Sequence, residues 1–207
     1  MGKNTSKGSQ LAARASKVER IDASIATAAV AHRDNPAVRA VGALSELSDQ
    51  PPLLAASAVT LAAGLVLRRP RLARAGLRML ASEIVATAIK AGIKRYVART
   101  RPHKMLEDGR YLLHRDKNAD KNEGPWNSFP SGHTAGAVAV GRALSREYAG
   151  ASHAAAGLAA AVGLVQLPRG THFTSDVIAG AVVGWVAEAA VNKAVNAGTG
   201  ALTTRME

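Results

Sequence analysis

The chain has 207 residues, a formal net charge of +12, no cysteine and 3% aromatic residues. That length suits one domain with a sizeable core, and the missing thiols exclude a disulfide scaffold, thiolate catalysis and thiolate metal ligation. The charge favours an anionic partner, and of the candidates (nucleic acid, anionic lipid headgroups, phosphorylated substrates) nucleic acid is disfavoured by the scarcity of rings for base stacking.

Abundant alanine and little strand-type alternation predict an all-α protein. Residues 1–20 are polar, basic and rich in small residues and read as a flexible tail, without the apolar run of a signal peptide. Residues 21–195 read as one helical domain and residues 196–207 as a frayed end. Ile21 to Leu47 sets Ile21, Ile25, Val38, Val41, Leu44 and Leu47 against Asp22, Arg33, Arg39 and Glu46, with a break at Asn35-Pro36. Two short amphipathic helices are expected, the second starting at Pro36, either lying at a membrane interface or packed on a core.

Pro51 to Leu67 is uncharged and, at ~1.5 Å per residue, reaches roughly 25 Å, a marginal span for a ~30 Å hydrocarbon core. Arg68, Arg69, Arg71, Arg74 and Arg78 follow before the first acidic residue, Glu83, which is the charge pattern of the cytoplasmic side of a span. Leu72 to Ile93 would return across the membrane, with Glu83 and Lys90 costly there unless they face other helices or the site. His103 to Phe129 reads as a long polar loop, of a length that is usually functional or mobile. Thr134 to Ala149, Ala151 to Leu167 and Ser175 to Val195 then read as packed antiparallel helices, in which Gly180 and Gly184 form a small-xxx-small pattern suited to close helix approach.

Three short stretches carry chemistry. Asn127 to His133, NSFPSGH, ends where a helix begins, so Pro130 and Ser131 lie at the expected helix start, where free N–H groups and the helix dipole favour an anion; alone it reads as a turn with a serine helix cap and an incidental histidine. Lys94 and Arg101, in KRYVARTRP, offer a point charge and a planar fork to one oxyanion, or form a juxtamembrane basic cluster. His172 and Asp176 are four residues apart at a helix start. A carboxylate holding one imidazole nitrogen fixes the tautomer and makes the other a better nucleophile or base, although such pairs are commonly structural.

Together these residues resemble the type 2 phosphatidic acid phosphatase (PAP2) superfamily, which includes lipid phosphatases, bacterial acid phosphatases and vanadium haloperoxidases. Its pattern K-x6-R-P matches Lys94 to Pro102, P-S-G-H matches Pro130 to His133, and the end of S-R-x5-H-x3-D matches His172 and Asp176, over about residues 50 to 195. The family serine and arginine fall here on Val165 and Gln166; Arg169, three residues on, is the expected substitute cation, with Gln166 a second candidate ligand. The resemblance implies a PAP2/haloperoxidase-type helical bundle, polytopic in the membrane with N-terminal amphipathic helices. It further implies that His172 attacks phosphorus to form a phosphohistidine, Asp176 orients its ring and His133 protonates the leaving oxygen. Lys94, Arg101, Ser131, Gly132 and Arg169 or Gln166 would bind the phosphoryl oxygens, with no metal and no cofactor. The expected substrate is a phosphorylated membrane lipid, with no nucleic acid partner and no signal for oligomeric state. The expected location is the cytoplasmic (inner) membrane of a bacterium with the site on the outer face. A soluble acid phosphatase of the same superfamily and a non-catalytic anion-binding member are the alternatives.

Overall fold

The computed structural model describes residues 16–109, 111–115 and 124–203; most of the expected N-terminal tail and the last four residues lie outside them. Helix α1 (Lys17–Val30) starts before Ile21 because Ser16 and Glu19 close a capping box, each side chain bonding the other's backbone N–H. Helix α2 (Pro36–Ser45) starts where the sequence places it, with Asn35 accepting from the Ala37 N–H and Pro36 in the first turn. A 3-10 turn, Glu46–Ser48, leads to Asp49, which caps α3 (Gln50–Val66) by accepting from the Gln50 N–H. Helix α4 (Pro70–Lys94) follows.

The stretch expected as an open polar loop is more ordered than its composition suggests. Strand β1 (Val97–Arg99), helix α5 (Pro102–Asp108) and strand β2 (Leu113–Arg115) fold back so that β1 and β2 pair antiparallel, Ala98 opposite His114. Helices α6 (Gly132–Glu147), α7 (Ser152–Val165) and α8 (Thr174–Thr203) complete the bundle, α8 continuing past Asn196, where fraying was expected.

Helices α4, α6 and α8 form the centre around Ala86, Ala135, Ala139, Val183 and Ala187, while Met79, Val140 and Ala143 pack with Leu53 of α3. Such small side chains bury little area each but let backbones approach closely. The pattern at Gly180 and Gly184 does this: a Cβ on Gly180 would lie 2.5 Å from the Ser131 carbonyl oxygen, and one on Gly184 2.3 Å from that of Ala135. The first turn of α6, and with it the PSGH segment, is thereby clamped onto α8. At the opposite end of the bundle Arg74 and Arg78 of α4 pair with Glu147 at the end of α6, and Arg71 donates to the Glu147 carbonyl. The bundle thus has two polar ends, one built on the arginine run and one on the three motifs.

Among the described residues one stretch, Thr174–Ala197, is long and apolar enough by length and composition to cross a membrane. The outward faces of the other long helices are nonetheless apolar: Val59, Leu65, Leu77, Ile84, Leu158 and Leu164 are all at least half exposed.

Gly184→Ala is expected to destabilise the fold by about 1–3 kcal/mol, because its methyl meets backbone that cannot yield. Gly157→Ala, with open space around its Cβ position, should be neutral or stabilising by up to about 1 kcal/mol. Thermal melts of the two purified variants check the contrast.

Candidate active site

Arg99, at an unspecified position inside K-x6-R-P, ties the site together. Its buried guanidinium donates to Asp176 Oδ1 at 2.6 Å and to Asp22 Oδ2 at 2.8 Å, its Nε to the Tyr111 hydroxyl at 3.1 Å, and its plane lies 4.2 Å from the Phe173 ring centre. Burial acts to lower its pKa, but the Asp176 carboxylate and its other partners outweigh that and raise it, so the group stays charged. Asp176 is wholly buried, and its Oδ2 accepts from the Ser128 hydroxyl at 2.7 Å and the Phe173 N–H at 2.8 Å.

His172 is held differently from the sequence-based expectation. Its Nδ1 lies 2.7 Å from the Ser128 carbonyl oxygen and 3.8 Å from Asp176 Oδ2, beyond hydrogen-bond range. A carbonyl only accepts, so Nδ1 carries the proton and Nε2 keeps its lone pair. Asp176 acts one step removed, by fixing Ser128 and the backbone at Phe173. Burial pushes the His172 pKa down to about 4, Arg101 and Lys94 push the same way, and Asp176 opposes them.

The motif cations converge on this ring. Lys94, at the end of α4, donates to the Asn127 carbonyl at 2.9 Å. Arg101 is extended, as its place before Pro102 predicts, and reaches the Gly124 carbonyl at 3.2 Å and that of Thr171, next to His172, at 3.5 Å. Burial lowers the Arg101 pKa, against the pull of Asp176. Ser131 is the cap of α6, its Oγ accepting from the Thr134 N–H at 3.4 Å and hydroxyl at 2.9 Å, and its own N–H is taken by the Asp176 carbonyl at 3.0 Å. The amides that helix geometry leaves without an intrahelical acceptor are those of Gly132 and His133.

His133 faces His172 with ring centres 6.5 Å apart, close enough for both to reach one small tetrahedral group. Its Nε2 is 3.6 Å from Glu46 Oε2, and the other Glu46 oxygen pairs with Arg169. Arg169 also donates to Ser45 Oγ at 2.9 Å and Gln166 Oε1 at 3.4 Å. Gln166 is wholly buried and donates to Ser45 Oγ at 3.2 Å and the Val162 carbonyl at 3.0 Å, while its Oε1 accepts from Thr171 at 2.7 Å. Both substitutes for the family arginine are therefore committed to protein partners. In sequence the carboxylates form no metal-ligand cluster, yet in space Glu46, Asp49 and His133 bring one ligand atom each within 4.8 Å of one another. Two of the three already serve the fold, Glu46 with Arg169 and Asp49 at its helix cap.

The helical bundle and this pair of facing histidines among buried cations define the class. The chain belongs to the PAP2 superfamily, whose family model matches residues 75–199. Among solved structures it is similar to a transmembrane PAP2-type phosphatidylglycerolphosphate phosphatase from Bacillus subtilis, with 24% identity, 95% of this chain and 97% of that one covered, and a TM-score of 0.66. It is also similar to Aquifex aeolicus LpxE, with 20% identity, coverage of 82% and 93%, and a TM-score of 0.57. No curated protein matches.

Arg99→Met strands two buried carboxylates and is expected to cost about 3–5 kcal/mol, measured by denaturation of the purified protein. His172 yields a pH signature. Its folded value of about 4 lies below the ordinary 6.5, so between these values the unfolded chain binds more protons and stability falls as pH falls. The slope approaches about 1.4 kcal/mol per pH unit. Melting curves from pH 7 to 4 should show it in the wild type and lack it in His172→Asn, whose amide can still donate to Ser128.

Proposed function

We propose that the chain is a membrane lipid phosphatase that hydrolyses a phosphate monoester or pyrophosphate through a phosphohistidine on His172. The observation that carries this reading is the neutral, Nδ1-protonated His172 facing His133 beside Lys94 and Arg101. The His172 Nε2 lone pair attacks phosphorus and the bond to the lipid oxygen breaks, with His133 giving that oxygen its proton. A water that yields a proton to His133 then attacks the same phosphorus, the P–N bond breaks, and orthophosphate leaves. Lys94, Arg101, Ser131 and the Gly132 amide stabilise the equatorial oxygens, Asp176 helps position His172, and neither metal nor cofactor takes part.

A lipid substrate is supported by the apolar outward faces of the long helices and by an apolar cavity of about 800 Å³ between α6, α7 and α8. Thr134 lines that cavity, and its hydroxyl donates to Ser131 Oγ. With the Arg71 to Arg78 end in the cytoplasm, the site lies on the outer face of a bacterial inner membrane. A mean hydropathy of 0.00 favours the second reading, a soluble acid phosphatase, and carbonate washing of membranes separates the two by whether the protein stays with the pellet.

With a panel of lipid phosphates and pyrophosphates, the wild type should release orthophosphate and His172→Ala should not. His133→Ala should be slowed about 10²- to 10⁴-fold, and a rapid quench of the wild type should trap an acid-labile, base-stable phosphoenzyme. Turnover by His172→Ala would overturn the mechanism.

A further inference from the structure

Resting on the phosphatase reading, we propose that Lys90 is a further phosphate-binding residue of this site, bringing the positive charge that the family pattern places at Gln166. The two nearer candidates are otherwise engaged. Gln166 is neutral, wholly buried and bonded on both ends of its amide. The Arg169 guanidinium is compensated by Glu46 and bonded to Ser45.

Lys90 stands one turn before Lys94, so the two project from the same face of α4. Its Nζ and Cδ each lie 3.3 Å from the position a Cβ would take on Gly132, the first residue of α6. The absence of a side chain there is what lets the ammonium reach the start of that helix. Its protein hydrogen bond is long, 3.5 Å to Gln50 Oε1, and no carboxylate lies within 4.0 Å of it among the described residues.

Two positive groups flank the Lys90 ammonium. The amino end of α6 carries the positive pole of the helix dipole, and Lys94 is a like charge that Lys90 repels. Glu83, two turns back on α4, interacts with Lys90 in the opposite sense, and Asp49, next to Gln50, does the same for Lys94. An anion between the Gly132 and His133 amides and the two ammonium groups reverses the sign of each contact, and a phosphoryl dianion has oxygens enough to accept from all of them. Lys90 therefore binds the phosphoryl group beside the Gly132 amide.

The test compares purified wild type, Lys90→Arg and Lys90→Gln for orthophosphate affinity by titration calorimetry, and for kcat and KM on a lipid phosphate. Lys90→Met is the second neutral variant should Lys90→Gln fold poorly. The neutral variants should bind orthophosphate about 10- to 100-fold more weakly and lose kcat/KM by a similar factor, while Lys90→Arg stays within about threefold of wild type. Neutral variants that bind orthophosphate within about twofold of wild type overturn the assignment, whatever their melting temperature. Wild-type protein that binds orthophosphate in a Lys90-dependent way yet hydrolyses no lipid supports the assignment and sinks the phosphatase reading. Hydrolysis with Lys90-independent binding does the reverse.

Discussion

One buried guanidinium holds the site in register. Arg99 lies between Asp22 of α1 and Asp176 of α8, each 77 residues away along the chain. Desolvating three charges is costly, and the arrangement is stable only because further donors complete the two carboxylates. These are the Ser128 hydroxyl and Phe173 N–H on Asp176, and the Ser175 N–H and hydroxyl on Asp22. Each donor belongs to the segment that bears the catalytic motifs. The same bonds that compensate the charge therefore locate the Ser128 carbonyl, and the carbonyl sets the His172 tautomer.

A second ion pair repeats the device on the other side of the site. Glu46, just after α2, links Arg169 to His133 as Asp22 links Arg99 to the start of α8. The two amphipathic helices are consequently neither purely interfacial nor purely core. Asp22, Ala26, Gly42 and Ser45 point inward and are buried, while Ile21, Val41, Leu44 and Leu47 stay exposed on the outside. Their polar sides roof the site, and the apolar sides remain free for a lipid interface.

Much of this was legible in the sequence, for physical reasons that differ by residue. Lys94, Arg101, Ser131, His133, His172 and Asp176 fall in short spacings, and the backbone order of those segments brings them together. The clamp at Gly180 and Gly184 was legible because a close approach requires small residues at helical spacing. Arg99 was not, because in VARTRP it looks like one more member of a basic run. Asp22 and Glu46 looked like the wet faces of two amphipathic helices. Their partners are set by tertiary contacts across 77 and 123 residues, which no local periodicity encodes. The i,i+4 spacing does bring Asp176 to within 3.8 Å of His172, but the nearer acceptor position at Nδ1 goes to a carbonyl from another segment.

The electrostatic character of the site follows from which groups are compensated. Arg99 and Arg169 each face a carboxylate, so neither contributes much free positive potential. Lys94 and Arg101 donate to neutral carbonyls instead, and their charge is felt at His172, where it adds to burial in holding the ring neutral. A protonated imidazole there would be unfavourable on both counts, whereas an anion beside it would be welcome. In the proposed reaction the same field helps burial keep the nucleophile in its reactive form and attracts the group it attacks, and both effects weaken when the two cations are neutralised.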